Sequence, residues 1–518
     1  MIFNFFQRHD LFILFPALIC LLASIILYVY RKNDNFGPSL ILLILAALVL
    51  RVFMAHLDPF LWDWDERYHA LVAKNLVLHP FVPTLYDHPV LGYDFKDWTR
   101  DYIWMHKQPL AMWQMALSFY LFGINQFTAR FPMIVEGTLL VLIIYRVGAL
   151  TINKQAGYLS ALMYTVSFYA LDFVTGGQAL DHVDYALLFY VSASLWTWIE
   201  YRHSQKMKWV ILTGIFAGLA FMSKWIMGLL IFPVWGISIL LFERKQLSQY
   251  INIAIAFLIS AMIFMPWQIY CYFRFPVEYK FEMDYNSSQH FFNVLGGHSG
   301  SSWYYLQNLD YNYGVVVPYI LPLGLILIWL YVKWIEYKMS MLTFIFIPYL
   351  FFSLGPATKM PAYCYFVCVP IFLALGCFAL FAQKMVQKIP FKISKPVICL
   401  ILIIVSWFSI NLVGIAKIHT GYNAINYYRI NKVQFTDYFR SISKTVPKDY
   451  ILFGFPYNSE VEMMFYTGNI CYNNFPTQDE YKKLKNTDVK MAVFQVEKTP
   501  LYLLDDPSVL KIKMFVEK

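Results

Sequence analysis

Apolar residues run unbroken for long stretches of this chain, and polar residues gather between the runs instead of alternating with them. A helix needs about 20 apolar residues to cross a hydrocarbon core of about 30 Å, so each such run predicts a crossing. The first, Leu11 to Tyr30, has that length and exceeds the apolar heart of a signal peptide, so it is expected to stay in the mature protein. Further runs at 38–57, 128–151, 155–174, 184–201, 208–222, 226–242, 250–272, 313–333, 340–355, 361–382 and 396–416 bring the expectation to about twelve. Leu110 to Phe122 is apolar but only about 13 residues long, and it reads as a helix lying in the interface. Asp65 to Leu78 is a second interfacial helix, with Leu71, Val72 and Leu76 set against Arg67, Lys74 and Asn75.

From about residue 420 the pattern changes. Strand-like pieces (Tyr450 to Phe455, Lys490 to Gln495) alternate with helix-like ones (Val433 to Lys444, Asp479 to Lys485), without a glycine fingerprint for nucleotides or metal-ligand spacing. The chain therefore divides into a membrane domain, 1–419, and a small α/β domain, 420–518. Gly454 before Phe455 and Pro456 marks a turn.

Charge supplies the orientation, because Lys and Arg are retained on the cytoplasmic side. If the first helix runs inward, Arg31, Lys32, Lys154, Arg202, Lys206, Lys208, Arg244, Lys245, Lys333, Lys338, Lys384, Lys388, Lys392 and Lys395 all fall inside. The long stretch 58–128, the loops at 176–184, 273–312 and around Lys359, and the C-terminal domain then face outward, as the acidic, His- and Trp/Tyr-rich segments. The net charge of +9 is explained by those loops and is no sign of nucleic acid. With 59% hydrophobic and 14% charged residues, disorder and a fibrous repeat are excluded; 19% aromatics suit interfacial belts or a ring-lined cavity. Seven scattered cysteines, Cys364 and Cys368 among them, form no disulfide or zinc pattern.

Ionisable groups near membrane depth are expensive to keep, so clusters of them mark candidate sites. The densest is Asp63 to His69, with Asp63, Asp65 and Glu66; Asp65 reads as a general base, a metal ligand or a helix cap. Next is His106-Lys107-Gln108-Pro109 at a helix start, where a Lys and unpaired N–H groups form an anion site. Asp181-His-Val-Asp184 either caps the following helix or completes a divalent-metal site with Asp65. Thr358-Lys359-Met-Pro-Ala-Tyr363 offers a second phosphate-binding Lys and a hydroxyl, and His290 and His298 are loop histidines able to act as ligands.

In order and spacing these pieces resemble the protein O-mannosyltransferase and aminoarabinose (lipid A) transferase family of GT-C glycosyltransferases. The resemblance rests on Asp65-Glu66 with Tyr68, Lys107-x-Pro-Leu110, an Arg-led helix from Arg130 to Arg146, Asp181, and Thr358-Lys-x-Pro-x-Tyr363, and it covers about residues 40–380. It implies a multispanning α-helical enzyme of the bacterial inner membrane with a periplasmic active site and a small C-terminal periplasmic α/β domain. Such an enzyme moves a sugar from a polyprenyl-phosphate donor to an acceptor hydroxyl on lipid A, a glycan or a protein. Under it Asp65, Glu66 and Asp181 are catalytic, and Arg67, Lys107, Lys359 and Tyr363 hold the donor phosphate. Asp63, Tyr68 and Asp184 are further candidates, and His106 with His298 are the candidate ligands should a divalent metal ion take part; no other cofactor is expected. The chain departs from the family in carrying His106 where Glu often precedes Lys-x-Pro, and in the extra helix Leu11 to Tyr30. The rival from another class, a transporter or flippase of a lipid-linked or anionic solute, would hold its charges at the bilayer midplane on broken helices; a non-catalytic scaffold would leave the clustered acids unexplained.

Overall fold

A computed structural model describes residues 5–178, 182–420, 427–456 and 458–514. They fall into two compact units: Met1–Leu57 with His106–Ala111 and Pro132–Thr420, and Asp58–Met105 with Met112–Phe131 and Gly421–Lys518. The α/β segment at the C-terminus thus shares its unit with most of the first long inter-span loop.

Eight helices among the described residues are long and apolar enough to cross a membrane: Arg8–Tyr30, Gly37–Leu57, Gln126–Thr151, Met207–Leu229, Leu247–Arg274, Ile335–Leu354, Pro361–Val386 and Ile393–His419. The chain is a multispanning membrane protein. The other four apolar runs take different forms. Residues 155–174 break into Lys154–Val166, Phe168–Asp172 and a 3-10 turn, and 226–242 into a 3-10 turn, the helix Ile231–Ser238 and a π-type turn. Val317–Tyr331 is short, and His182–Ser204 is long but diluted by Ser, Thr, Tyr and charged residues. Close approach of the spans rests on small residues: a Cβ added at Gly214 would lie 2.4 Å from the Ala256 carbonyl, and one at Gly218 would lie 2.9 Å from the Ser260 carbonyl. In lipid, where apolar burial gives helices no reason to associate, such backbone proximity supplies the packing.

The second unit is built on a parallel sheet of four strands, β1 (Tyr450–Phe453), β2 (Cys471–Tyr472), β3 (Lys490–Gln495) and β4 (Leu510–Lys513), in the order β2-β1-β3-β4. Leu452 lies opposite Cys471 on one side and Ala492 on the other, and Ala492 in turn faces Leu510. Parallel strands are covered on both faces, so β3 keeps four consecutive buried residues, Met491 to Phe494. Its helices are Tyr427–Thr445, Glu460–Thr467, Gln478–Lys485 and Leu501–Leu504. The helix Asp65–Leu76 joins the same core through Ala70, Val72 and Leu76. Its Lys74 donates at 2.8 Å to the carbonyls of Met464 and Phe465, closing the C-terminal end of Glu460–Thr467, where carbonyls lack helical partners. Burial, helped by Lys448, pushes that ammonium down to about 8.

Candidate active site

In the second unit, one buried cation fixes the loop leading into Asp65–Leu76. The Arg130 guanidinium donates to the two Glu66 oxygens at 2.7 and 2.9 Å and to the carbonyls of Asp58 (2.9 Å) and Phe60 (2.8 Å). Glu66 also accepts the Trp62 backbone N–H at 2.7 Å. Both planar groups are 0% exposed and meet in the two-pronged geometry that suits them. Trp64 is left at φ 68°, ψ −131°, a region costly by roughly 1–3 kcal/mol for a residue with a Cβ. Asp65 follows as the first residue of the helix, half-buried, at the end of the helix dipole that favours a carboxylate.

The other charges of this cluster form a separate network. Lys432 bridges Asp63 (2.5 Å) and Glu462 (2.6 Å), Tyr428 donates to Asp63 at 2.6 Å, and Arg67 donates to Glu462 at 3.1 Å and to the Asn458 carbonyl at 2.5 Å. Burial works against the Asp63 carboxylate, but Lys432, Tyr428 and Arg67 outweigh it and hold the group below its usual range. Arg67 is therefore engaged by an acid of its own unit. Tyr68 lies under that guanidinium and edge-on to Trp98, its hydroxyl pushed up to about 12 by burial.

In the first unit, His106 Nδ1 lies 2.8 Å from Glu282 Oε2, and Asn286 donates to the His106 carbonyl at 3.2 Å. Burial pushes Glu282 up to about 7, and the Lys107 ammonium works against that rise, which places Lys107 in its field. Gln108 accepts from Gln268 at 2.7 Å, and the helix Leu110–Phe122 begins just after Pro109, as suits a residue without an N–H. His106 and Glu282 are residue types that ligate zinc, which takes four ligands, and here they hydrogen-bond each other. Among the described residues, the group of three with ligand atoms within 4.8 Å of one another is His9, Asp10 and His56, which includes neither His106 nor His298.

Lys359 donates its ammonium to the carbonyls of Ser353 (2.6 Å) and Ser301 (3.1 Å), and its backbone N–H to the carbonyl of His298 (2.9 Å). The Thr358 hydroxyl donates to the Asn293 carbonyl and accepts the Leu295 N–H, so this Thr-Lys pair clamps the loop 293–301, and burial lowers the Lys359 pKa. Tyr363 lies beneath the ammonium of Lys224 (4.9 Å), which is paired with Asp184 at 2.5 Å. Asp181 lies outside the described residues. Two groups that the sequence reading passes over emerge here. Lys224 interrupts the apolar run 208–242, the kind of intramembrane ionisable residue that signals function. It is followed by Trp225 at φ 45°, ψ −138°, the same kind of strained backbone as Trp64. The second is Asp172, which accepts from buried His419 at 2.6 Å and from Gln178.

Residues 106–270 match the dolichyl-phosphate-mannose-protein mannosyltransferase family. The chain is 25% identical over 330 residues to an undecaprenyl phosphate-alpha-4-amino-4-deoxy-L-arabinose arabinosyl transferase of Pseudomonas fluorescens, covering 61% of this chain and 55% of that one. It is 24% identical over 340 residues to the corresponding transferase 2 of Proteus mirabilis, covering 62% and 56%. It thus spans little more than half the length of these relatives. Its fold is that of ArnT from Cupriavidus metallidurans, solved bound to undecaprenyl phosphate, with a TM-score of 0.61, 15% identity and coverage of 86% of this chain and 88% of that one. The apo oligosaccharyltransferase of Archaeoglobus fulgidus superposes with a TM-score of 0.56 at 12% identity, covering 86% and 66%.

Proposed function

We propose that this chain, a relative of the GT-C glycosyltransferases of the aminoarabinose-transferase type, transfers a sugar from a polyprenyl-phosphate donor to an acceptor hydroxyl at the periplasmic face of a bacterial inner membrane. The relatives it matches are undecaprenyl phosphate-alpha-4-amino-4-deoxy-L-arabinose arabinosyl transferases. The observation that carries the proposal is the placement of Asp65: a carboxylate at the first turn of a helix, behind a strained residue, on a loop fixed by a fully buried ion pair. A base has to be held within about 3 Å of the proton it takes, and rigidity of this kind provides that.

The acceptor oxygen attacks the anomeric carbon, its proton passes to Asp65, and the bond from that carbon to the phosphate oxygen breaks with its electron pair going to the departing polyprenyl phosphate. Lys107, just ahead of the helix Leu110–Phe122, we assign to the charge that grows on that phosphate. Glu66 and Arg67 we assign to positioning, since each is engaged by a charged partner. Lys359 and Tyr363 contribute to the donor site, Lys359 by ordering the loop 293–301, and Asp184 with Lys224 completes it. No step is routed through a metal ion. The direct test is a mass increase of one sugar on lipid A, glycan or protein acceptors after incubation with polyprenyl-phosphate sugars; no transfer from any such donor would end the proposal.

Two variants separate the lysines. Lys107→Ala is expected to weaken donor binding by about 1.5 to 3 kcal/mol, a lost charge-assisted contact, at unchanged melting temperature. Lys359→Ala weakens it too but also lowers the melting temperature, because Ser301 and Ser353 lose their donor. Wild-type donor affinity in both would remove the lysines from the site.

We infer about twelve crossings with the basic loops inside, which puts the α/β segment on the periplasmic side. A reporter fused after Lys245 should therefore be active only in the cytoplasm, and one after Lys518 only outside. Both reading on one side would overturn this topology.

A further inference from the structure

Where the spans Arg8–Tyr30, Pro361–Val386 and Ile393–His419 end near Arg31, Gln387 and Lys395, a cavity of about 360 Å³ opens, within the range of ligand-binding pockets. Its polar lining is Arg31, Asn33, Gln383, Gln387, Ser394 and Lys395: two cations and four neutral groups able to donate hydrogen bonds. Neither cation is a loose side chain. The Arg31 guanidinium is stacked 4.6 Å from the Tyr28 ring centre and 4.4 Å from that of Phe36, and the Lys395 ammonium sits 5.6 Å from Tyr30. Gln383 accepts from the Tyr28 hydroxyl at 2.7 Å, which leaves its amide nitrogen as the donor end. The neighbouring acid in the sequence, Asp34, is turned to Lys154 at 2.9 Å.

We propose that this cavity holds the phosphate head of an anionic phospholipid. Basic pockets between membrane helices on the cytoplasmic side select such heads, and the basic-loop rule assigns this end of the helices to the cytoplasm. A lipid suits the place better than a soluble anion, because the helices that line the cavity also expose Ile26, Leu27, Ile401 and Ile404 as apolar surface for acyl chains. The site is independent of sugar transfer and uses none of the residues assigned to it.

The test uses the purified full chain in neutral detergent, titrated with phosphatidylglycerol and, separately, phosphatidylcholine, with retained lipid read by native mass spectrometry. Phosphatidylglycerol is expected to be retained and phosphatidylcholine lost. Arg31→Gln and Lys395→Gln should each weaken retention about fivefold, and the double variant about 25-fold. Lys395→Arg keeps the charge and should bind as the wild type does, which separates loss of charge from misfolding. Equal retention in the double variant, or loss in Lys395→Arg, would overturn the site. Full displacement of the lipid by millimolar inorganic phosphate would make it a site for a soluble anion and overturn the lipid assignment.

Discussion

Asp65→Asn is expected to lower sugar transfer by about 10² to 10⁴, the range for loss of an acid–base group, while donor binding and melting temperature stay near those of the wild type. The substitution keeps size, shape and the capacity to accept hydrogen bonds at the first turn of Asp65–Leu76, so whatever structural work the side chain does survives it. What is lost is one negative charge and the ability to hold a proton. Asp63, two residues earlier, makes the contrast, because its carboxylate neutralises Lys432 and accepts from Tyr428. Asp63→Asn should therefore show itself first in stability. The measurement is single-turnover transfer alongside a melting curve for each variant. Most of the turnover retained in Asp65→Asn, with turnover lost in Asp63→Asn at an unchanged melting temperature, would move the base to Asp63.

The spans are legible because lipid imposes one uniform demand, and Leu110–Phe122 is recovered residue for residue because its length sets it apart. What composition hides is where an apolar run breaks. Residues 155–174 and 226–242 are as apolar as their neighbours, yet both are interrupted, the second just after Lys224 and the strained Trp225. Mean hydropathy over a run does not report where its helix breaks. In the α/β segment the reading finds β3 and all of β1, overrunning the latter by two residues, and misses β2, two residues long, and β4, where Lys511 and Lys513 alternate with apolar residues. The candidate site divides along the same line. The acids at 63–66 are visible as a cluster, but which one is engaged depends on Arg130, Lys432 and Glu462, which lie 64 or more residues away. Sequence shows that three carboxylates are present; that Glu66 is paired with Arg130 and Asp63 with Lys432 is seen only in the structure.

Arg130→Ala is expected to destabilise the second unit by about 3 to 5 kcal/mol, the cost of leaving one member of a buried ion pair alone. Glu66 would keep a charge at 0% exposure with only the Trp62 N–H to meet it, and the carbonyls of Asp58 and Phe60 would lose their donors. Against a domain stability of roughly 5 to 15 kcal/mol, that lowers the melting temperature and the yield of folded protein together. Arg130→Lys keeps the charge but not the fork, and should fall between. The informative variant is the double substitution Glu66→Leu with Arg130→Met, which removes both charges at once. Apolar replacement of a whole buried pair often restores stability, so this protein should melt close to the wild type. It should still transfer sugar poorly, because the guanidinium that ties the Asp58 and Phe60 carbonyls to the start of the helix Asp65–Leu76 is gone, and the contacts left to residues 58–63, such as Tyr466 on Leu61 and Arg440 on Pro59, do not reach Glu66. Full activity in a stable double variant would mean that the pair serves folding alone, and loss of activity in Glu66→Gln at an unchanged melting temperature would return Glu66 to the chemistry.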